Sequence, residues 1–243
     1  KYIKNKGFLK FMKYHFIETK YEKTFTLPIN FIEKLPKNIG LFTTVQFIDS
    51  IEKIKEQIEK SGREVYTRES INYYYKGKRT QNYQLLGCNT EKLDDKVDAY
   101  IYIGDGVFHP RILAFNNKKT VFIYDPVEKK EKILDRDEIE KILKKQKGAY
   151  LKFLNSKEIG VVVSTKPGQS QFTQAQLLKK QYPDKNFYYF VFDTVNYRDL
   201  ENFPFVECFV NTACPRMGLD DSKQFPKSVI NLNKILKSVT TLE

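Results

Sequence analysis

Cysteine is scarce in this sequence, which has three in 243 residues: Cys88, Cys208 and Cys214. They are too few and too far apart for the disulfide framework of a small secreted domain. No two of them form a Cys-x-x-Cys pair, so the local ligand spacing of a zinc site or a redox dithiol is also missing. Any metal site therefore has to collect its ligands from distant parts of the chain.

Long apolar runs are missing as well. No stretch approaches the roughly 18 residues needed to span a bilayer, and the charged residues 1–7 lack the apolar core of a secretory signal. We therefore expect a cytoplasmic protein that does not associate with membranes. Because the first residue is Lys rather than Met, we also expect the chain to be a fragment of a longer protein.

Arginine is rare, with seven residues among the 42 Lys and Arg. A net charge of +12 suits a polyanion partner, but bidentate recognition of phosphates and bases favours Arg over Lys. Many Lys residues alternate with Glu at helical spacing, as in residues 51–60, which is typical of a solvated helix face. We therefore predict a solvated surface rather than a nucleic-acid site, with an acidic protein partner as the other alternative.

The motifs of common nucleotide-binding and hydrolytic sites do not occur. There is no Gly-rich dinucleotide fingerprint and no Walker-type phosphate loop. Neither a Ser-His-Asp constellation nor a pair of carboxylates stands out. Conventional nucleotide binding and hydrolysis therefore have no specific support.

The hydrophobic residues, 41% of the chain, form an alternating series of buried strands and amphipathic helices. The predicted strands are residues 39–45, 64–67, 97–103, 120–124, 159–165, 186–193 and 206–212, and the predicted helices are residues 47–60, 135–154 and 172–181. This alternation predicts an α/β fold with parallel sheets and helices on both faces.

The second half of the chain repeats the plan of the first. Gly160 lies 120 residues after Gly40, each in the opening strand of its half. Two copies of one α/β unit are the simplest explanation. The predicted domains are residues 37–155 and 156–243, preceded by an N-terminal segment, residues 1–36.

Several polar side chains and one cysteine follow predicted strands. In parallel sheets the functional loops leave the carboxyl ends of the strands, so we expect an active site in the crevice between the two units. The candidate residues at these positions are Gln46, Gly104, Asp105 and Gly106 in the first unit, and Lys166, Gly168, Gln169, Cys214 and Arg216 in the second.

Three segments, residues 86–88, 97–110 and 210–216, resemble the radical enzymes of archaeal diphthamide biosynthesis. Residues 43–46 and 166–169 fit the same pattern. Each motif alone is weak, but their order and their gaps form a specific signature. The resemblance covers residues 37–243.

This resemblance implies a protein of three similar α/β domains, each contributing one cysteine to a four-iron four-sulfur (4Fe-4S) cluster. It makes Cys88 the ligand of the middle domain and Cys214 that of the last, whereas residues 1–36 contain no cysteine. The N-terminal segment then corresponds to the remainder of a first domain. With two of the three thiolates, the chain alone is expected to bind the cluster weakly.

The resemblance also implies an activity. Members of the family cleave S-adenosylmethionine (SAM) at the cluster and transfer its 3-amino-3-carboxypropyl group to a histidine of the translocation elongation factor, the first step of diphthamide biosynthesis. Thiolates suit this cluster, since three of them leave one iron open for the substrate. An electron donor and a homodimer are implied as well.

The same resemblance gives the polar candidates roles at SAM, each with an ordinary structural alternative. Asp105 accepts hydrogen bonds from SAM or simply forms a turn, and Arg216 pairs with the SAM carboxylate or forms a salt bridge. His109 lines the substrate pocket or is structural. The loop 166–169 holds a polar ligand group or is a plain turn. Cys208, inside a predicted strand, is interpreted as a small core residue.

Two other functions stay open. One is a non-catalytic subunit or scaffold of the same family, and the other is a nucleotide- or nucleic-acid-binding α/β module. The aromatic clusters at residues 73–75 and 187–190 are of the kind that stacks on bases. We assign no role to the first and predict a core strand for the second.

Overall fold

The computed structural model describes residues 19–67, 82–87, 96–115, 117–166 and 169–236, and these residues form two β-sheets. The strands of the first sheet are β1 (Asn38–Thr43), β2 (Glu64–Tyr66), β3 (Ala99–Ile103), β4 (Thr120–Asp125) and β5 (Lys130–Ile133). They lie in the order β2-β1-β3-β4-β5. The first four are parallel, and β5 pairs antiparallel with β4.

The second sheet repeats the order of the first. Its strands are β6 (Glu158–Ser164), β7 (Asn186–Phe192), β8 (Cys208–Asn211) and β9 (Val229–Asn231). The order β7-β6-β8-β9 matches β2-β1-β3-β4, and all four strands are parallel. The prediction of a repeated α/β fold with parallel sheets is confirmed.

Helices connect the strands and cover the sheets. They are α1 (Ile29–Glu33), α2 (Ile51–Glu59), α3 (Arg111–Phe115), α4 (Arg136–Asn155), α5 (Phe172–Gln181), α6 (Pro215–Leu219) and α7 (Leu232–Ile235). The predicted helix 47–60 begins as a 3-10 turn, Val45–Ser50, before α2 continues it. None of the helices in the described ranges is both long and apolar enough to cross a bilayer.

Equivalent glycines give the two opening strands the same packing. Gly40 in β1 pairs with Tyr100, and Gly160 in β6 pairs with Phe209. A Cβ atom at Gly40 would lie 2.5 Å from the Tyr100 ring, and one at Gly160 would lie 2.6 Å from the Phe209 ring. Each aromatic ring therefore occupies the space above its partner glycine, and a side chain at the glycine position would displace the ring.

Adding a methyl group at Gly160 is expected to destabilise the protein. The new Cβ would overlap the Phe209 ring, and overpacking of this kind costs about 1–3 kcal/mol. Gly148→Ala is the matched control, because nothing lies within 4 Å of that position in α4 and alanine favours the helix by up to about 1 kcal/mol. Urea unfolding followed by circular dichroism measures both, and equal midpoints would contradict this account of the repeat.

Part of the N-terminal segment packs on the first sheet. Phe31 in α1 is buried, and its ring centroid lies 5.5 Å from that of Tyr124 in β4. Leu27 belongs to the same core. We therefore propose that the first unit begins before residue 37, whereas residues 1–18 lie outside the described ranges.

Helix α4 belongs to both cores. Ile139, near its start, packs in the core of the first unit, whereas Ala149 and Phe153, near its end, pack in the core of the second. The side chain of Asp135 caps the helix by accepting hydrogen bonds from the backbone amides of Asp137 and Glu138. The predicted boundary after residue 155 thus falls at the end of a helix that joins the two sheets.

The strand predicted at residues 187–190 is confirmed, but the prediction that it belongs to the core is wrong. Strand β7 forms one edge of the second sheet, and each of its side chains is exposed or half-buried. Tyr188 is 38% exposed and Val191 is 58% exposed. The other aromatic cluster, residues 73–75, lies outside the described residues.

Candidate functional site

The loops that follow β1, β3, β6 and β8 carry the described candidate residues. Gly104 and Asp105 directly follow β3, Lys166 lies two residues after β6, and Cys214 lies three residues after β8. Arg216 reaches from the last loop to the first, where its Nη1 donates a hydrogen bond to the carbonyl of Phe108 at 2.5 Å. The carboxyl ends of the two sheets therefore meet, as parallel-sheet geometry predicts for a site between them.

Two buried asparagines shape the turn that presents Cys214. The Asn211 side chain donates to the Cys214 carbonyl at 2.9 Å and accepts from the Ala213 amide at 3.1 Å. It also donates to the Asn231 side chain, which in turn donates to the Pro215 carbonyl at 2.8 Å. These bonds satisfy the backbone groups of a tight turn and leave the Cys214 thiol half-buried at its tip.

Two of the predicted site residues, Cys88 and Gly168, lie outside the described residues. Gly87, directly before Cys88, lies against the ring of Phe108, since a Cβ atom at Gly87 would be 2.5 Å from Cε1 of that ring. The guanidinium carbon of Arg216 lies 4.0 Å from the centroid of the same ring. One aromatic side chain thus contacts both the neighbour of Cys88 and the loop of Cys214.

Arg216 is a buried cation, 2% exposed. Its Nε pairs with the carboxylate of Asp220, and its guanidinium stacks over Phe108 and lies 5.5 Å from the centroid of Phe115. Its Nη2 is buried without a hydrogen-bond partner among the described residues. The salt bridge considered from the sequence is therefore present, and Nη2 is the nitrogen that remains for a ligand.

Asp220 links Arg216 to the other unit. Its second carboxylate oxygen accepts a hydrogen bond from Nη1 of Arg111 in α3 at 3.1 Å, and Arg111 also pairs with Glu138 in α4. Sequence reasoning missed Asp220, Arg111 and Phe108. The i,i+4 spacing of Arg216 and Asp220 is a signal that could have identified Asp220. Arg111 gives no such signal, because it lies 109 residues from Asp220 in sequence.

Several polar groups lie at the carboxyl end of the first sheet. The buried hydroxyl groups of Tyr102 and Thr44 lie next to each other, and neither has a partner on any other residue among the described ones. Burial, with a smaller contribution from the charge of Asp105, raises the pKa of Tyr102, so its hydroxyl stays protonated. Gly104 leaves room for this hydroxyl, because a Cβ atom would lie 2.6 Å from it.

His109 faces the same region. Its ring lies nearly parallel to that of Tyr102, with the centroids 6.3 Å apart. Burial first, and then the positive charge of Arg216, lowers the pKa of His109, which the charge of Asp105 only partly offsets. The imidazole is therefore neutral at pH 7 and keeps one nitrogen that can accept a hydrogen bond. Asp105 and Gly106 are exposed beside it.

A cavity of about 200 Å³ opens at the carboxyl ends of β6, β7 and β8. Its lining includes Ser164, Lys166, Gln169, Asp193, Tyr197 and Met217. The Gln169 amide donates a hydrogen bond to the Lys166 carbonyl at 3.1 Å. Lys166 and Asp193 give the cavity one basic and one acidic side chain, which suits a zwitterionic ligand. Ala213, next to Cys214, also lines it.

Cys208 is a core residue, as predicted. It is fully buried and pairs with Ile159, in the place that Ala99 takes opposite Ile39 in the first sheet. Burial raises the pKa of its thiol to about 12. Of the two predicted cluster ligands, the structure describes Cys214 alone, and the described residues contain no group of three Cys, His, Asp or Glu that could hold a metal ion.

The thiols of Cys208 and Cys214 are expected to differ strongly in reactivity. Near pH 8, a pKa of about 12 leaves about one Cys208 in ten thousand as thiolate, the form that reacts. Cys214 is half-buried at the tip of its turn and should react with iodoacetamide in the folded chain. Mass spectrometry of the peptides measures both rates, and denaturant should remove the difference. Equal rates in the folded chain would mean that the core around Cys208 is open.

Known proteins resemble the chain along most of its length. The sequence model of the diphthamide synthesis protein family matches residues 9–236. The 2-(3-amino-3-carboxypropyl)histidine synthase of Pyrococcus horikoshii is 34% identical over 209 residues, which cover 84% of this chain and 58% of that protein. The enzyme of the same name from Methanocaldococcus jannaschii is 32% identical over 190 residues, 76% of this chain and 54% of that protein. The chain thus spans a little over half the length of these relatives.

A solved structure has the same fold. The crystal structure of Dph2 from Pyrococcus horikoshii with a 4Fe-4S cluster superposes with a TM-score of 0.70 at 31% sequence identity. The match covers 85% of this chain and 58% of that one.

Proposed function

Because this chain belongs to the diphthamide synthesis protein family, we propose that it forms the cluster-binding and SAM-binding part of a 2-(3-amino-3-carboxypropyl)histidine synthase. The enzyme would transfer the 3-amino-3-carboxypropyl group of SAM to a histidine of the translocation elongation factor, in the first step of diphthamide biosynthesis. The observation that carries the proposal is the contact of Phe108 with both Gly87, the neighbour of Cys88, and the loop of Cys214.

In this proposal Cys88 and Cys214 are two thiolate ligands of a 4Fe-4S cluster, and the third ligand comes from outside this chain. The donor set fits the group, because thiolates are the usual ligands of such clusters and Cys214 presents its sulfur at the end of a strand where two units meet. When bound and reduced, the cluster supplies the electron that cleaves a carbon–sulfur bond of SAM.

The chain's own residues would bind and orient SAM. Lys166 and Asp193 carry charges that complement the carboxylate and the amino group of its amino-acid end, in a cavity beside the Cys214 loop. Nη2 of Arg216 is a further donor for a carboxylate. We also propose, from the resemblance, that the loop 166–169 with Gly168 contributes to SAM binding.

The loop after β3 would contribute Asp105 to SAM binding and His109 to the pocket of the histidine substrate. The flexible backbone of Gly104 and Gly106 flanks Asp105, whose exposed carboxylate can accept hydrogen bonds. The neutral His109 accepts a hydrogen bond without placing a second positive charge near Arg216. We further propose a homodimer in the cytoplasm, a separate electron donor, and the elongation factor as protein partner.

Reconstitution under anaerobic conditions tests this proposal. The chain is incubated with iron and sulfide, alone and together with the part of the Pyrococcus horikoshii enzyme that lies outside the match. We expect little cluster on the chain alone, because one thiolate is missing. The mixture should give a paramagnetic signal on reduction and release methylthioadenosine from SAM. Bound cluster without SAM cleavage would favour a non-catalytic subunit, and no thiolate-dependent iron in either sample would sink the proposal.

A further inference from the structure

The cavity at the carboxyl ends of β6, β7 and β8 is large enough for only part of SAM. It measures about 200 Å³, whereas pockets that enclose a whole drug-sized ligand measure roughly 300 Å³ or more. Lys166 and Asp193 line it, and neither forms a salt bridge with another residue in the described part of the chain. Both charges therefore remain available to the carboxylate and the amino group at the amino-acid end of SAM.

The sulfonium of SAM would then lie near the wall of the same cavity. Only two methylene groups join it to the α-carbon, so it stays close to an amino-acid end that is held there. The sulfonium carries a permanent positive charge but no N–H or O–H group, and it therefore makes no conventional hydrogen bond. The side chains that attract such a cation are aromatic rings, through their faces, and carboxylates.

Tyr197 contributes an aromatic ring to the lining of this cavity. The ring is half-buried and packs edge-to-face on Phe225, with the centroids 4.9 Å apart. Val195 and Met217, which also line the cavity, pack against the same core. The core of the second unit therefore fixes the position of the ring before any ligand binds.

The electrostatic surroundings of Tyr197 also suit a cation. Burial first, and then the charges of Asp221 and Cys214, raise the pKa of Tyr197 to about 12. The side chain is therefore a neutral phenol at pH 7, and the groups that act on its hydroxyl are negative when they are charged. A ligand cation beside this ring is attracted by the ring and by the carboxylate of Asp221.

We propose that Tyr197 is a specificity-determining residue that recognises the sulfonium of SAM through a cation–π contact, while Lys166 and Asp193 hold the amino-acid end. The inference rests on the proposed function, because it takes SAM as the ligand of this cavity. Its consequence is discrimination by charge. S-adenosylhomocysteine, a neutral thioether that lacks the methyl group of SAM, keeps the contacts of the amino-acid end but loses the contact with Tyr197.

The binding of three ligands to the metal-free chain tests this inference. The ligands are SAM, S-adenosylhomocysteine and sinefungin, in which a carbon that carries a protonated amine replaces the sulfonium. Isothermal titration calorimetry gives the dissociation constant of each ligand. The constant for S-adenosylhomocysteine divided by the constant for SAM measures recognition of the charge, and a general loss of affinity leaves this ratio unchanged.

Tyr197→Leu removes the aromatic ring. We expect the ratio to fall roughly threefold to thirtyfold, the range from a partly exposed to a desolvated cation–π contact, and the affinity for sinefungin to fall with that for SAM. Tyr197→Phe keeps the ring and should keep the ratio. Tyr188→Leu is the matched control, because it removes an exposed tyrosine of β7 that does not line the cavity, and it should also keep the ratio. Circular dichroism shows whether each variant is folded.

Trifluorophenylalanine at position 197 is a second measurement for the case in which Tyr197→Leu does not fold. Fluorine withdraws electrons from the ring face and changes the shape of the ring little, so the ratio should fall below that of Tyr197→Phe. An unchanged ratio in the folded proteins without the ring or with the fluorinated ring would overturn the inference and leave SAM in the cavity. If the unaltered chain does not bind SAM, or if Asp193→Asn and Lys166→Met leave SAM binding unchanged, the assignment of SAM to this cavity fails as well.

Discussion

Replacing Cys214 with alanine is expected to abolish cluster binding and SAM cleavage together. A methyl group has no lone pair to offer iron, and hard ligands such as water do not replace a thiolate in these clusters. The reconstituted mixture of the chain with the unmatched part of the Pyrococcus horikoshii enzyme should lose its iron, its paramagnetic signal and its release of methylthioadenosine. Iron analysis, electron paramagnetic resonance and chromatography measure the three quantities.

The fold should survive this substitution. The thiol is half-buried, and the turn around it is held by Asn211 and Asn231 rather than by the sulfur. Cys208→Ala is the matched control, because it removes a cysteine from the core of the same sheet and should keep the cluster. A full cluster on the Cys214→Ala protein would show that another group holds the iron, and Cys214 would then be a structural residue.

Replacing Arg216 with methionine is expected to lower the free energy of unfolding by about 3–5 kcal/mol, the cost of removing one partner from a buried ion pair. The substitution leaves the carboxylate of Asp220 with Arg111 alone and the Phe108 carbonyl without its donor. Arg198→Met is the control, because Arg198 is exposed and its loss should change stability by less than about 0.5 kcal/mol. Urea unfolding measures both.

This stability loss bears on any test of SAM binding at Arg216. A variant that is partly unfolded also binds SAM weakly, so its affinity is informative only where the variant is fully folded. An Arg216→Met protein as stable as the Arg198→Met protein would contradict the buried pair, and Arg216 would then be free to act on a ligand.

The main elements of the fold are predictable because their sequence patterns are local. The stripe of Ile51, Ile54 and Ile58 predicts α2, and all three are buried. The apolar run predicts β6 to within one residue at each end. The Pro and Gly signals near the strand ends mark the loops that carry the site. These patterns involve residues that are close in sequence, so a single sequence is enough to recognise them.

The elements that were missed give no periodic apolar signal. Strand β5 is exposed along its whole length and begins Lys-Glu-Lys, and it forms by antiparallel pairing with the preceding strand β4. Strand β9 has three residues, too few for a periodic signal. Strand β7 was predicted, but its position at the edge of the sheet was not, because strand propensity does not tell an edge strand from a central one.

The candidate site was also predictable only in part. The position of Cys214 at a strand end follows from the sequence, because a strand and Pro215 bracket it. The burial of Arg216 does not follow, because it depends on Phe108 and Arg111 in the other unit. Sequence patterns identify which loops meet at the carboxyl ends of parallel strands, but they do not identify which side chains join them.

Helix α4 has a consequence for how the protein unfolds. Since one continuous helix contributes Ile139 to the first core and Phe153 to the second, neither core can open at this helix without exposing apolar surface of the other. We therefore expect the two sheets to unfold as one cooperative unit, with the amides in the middle of α4 exchanging their hydrogens only in the global unfolding reaction. We also expect a cut after residue 155 to destabilise the second half, because it separates Ala149 and Phe153 from the core to which they contribute.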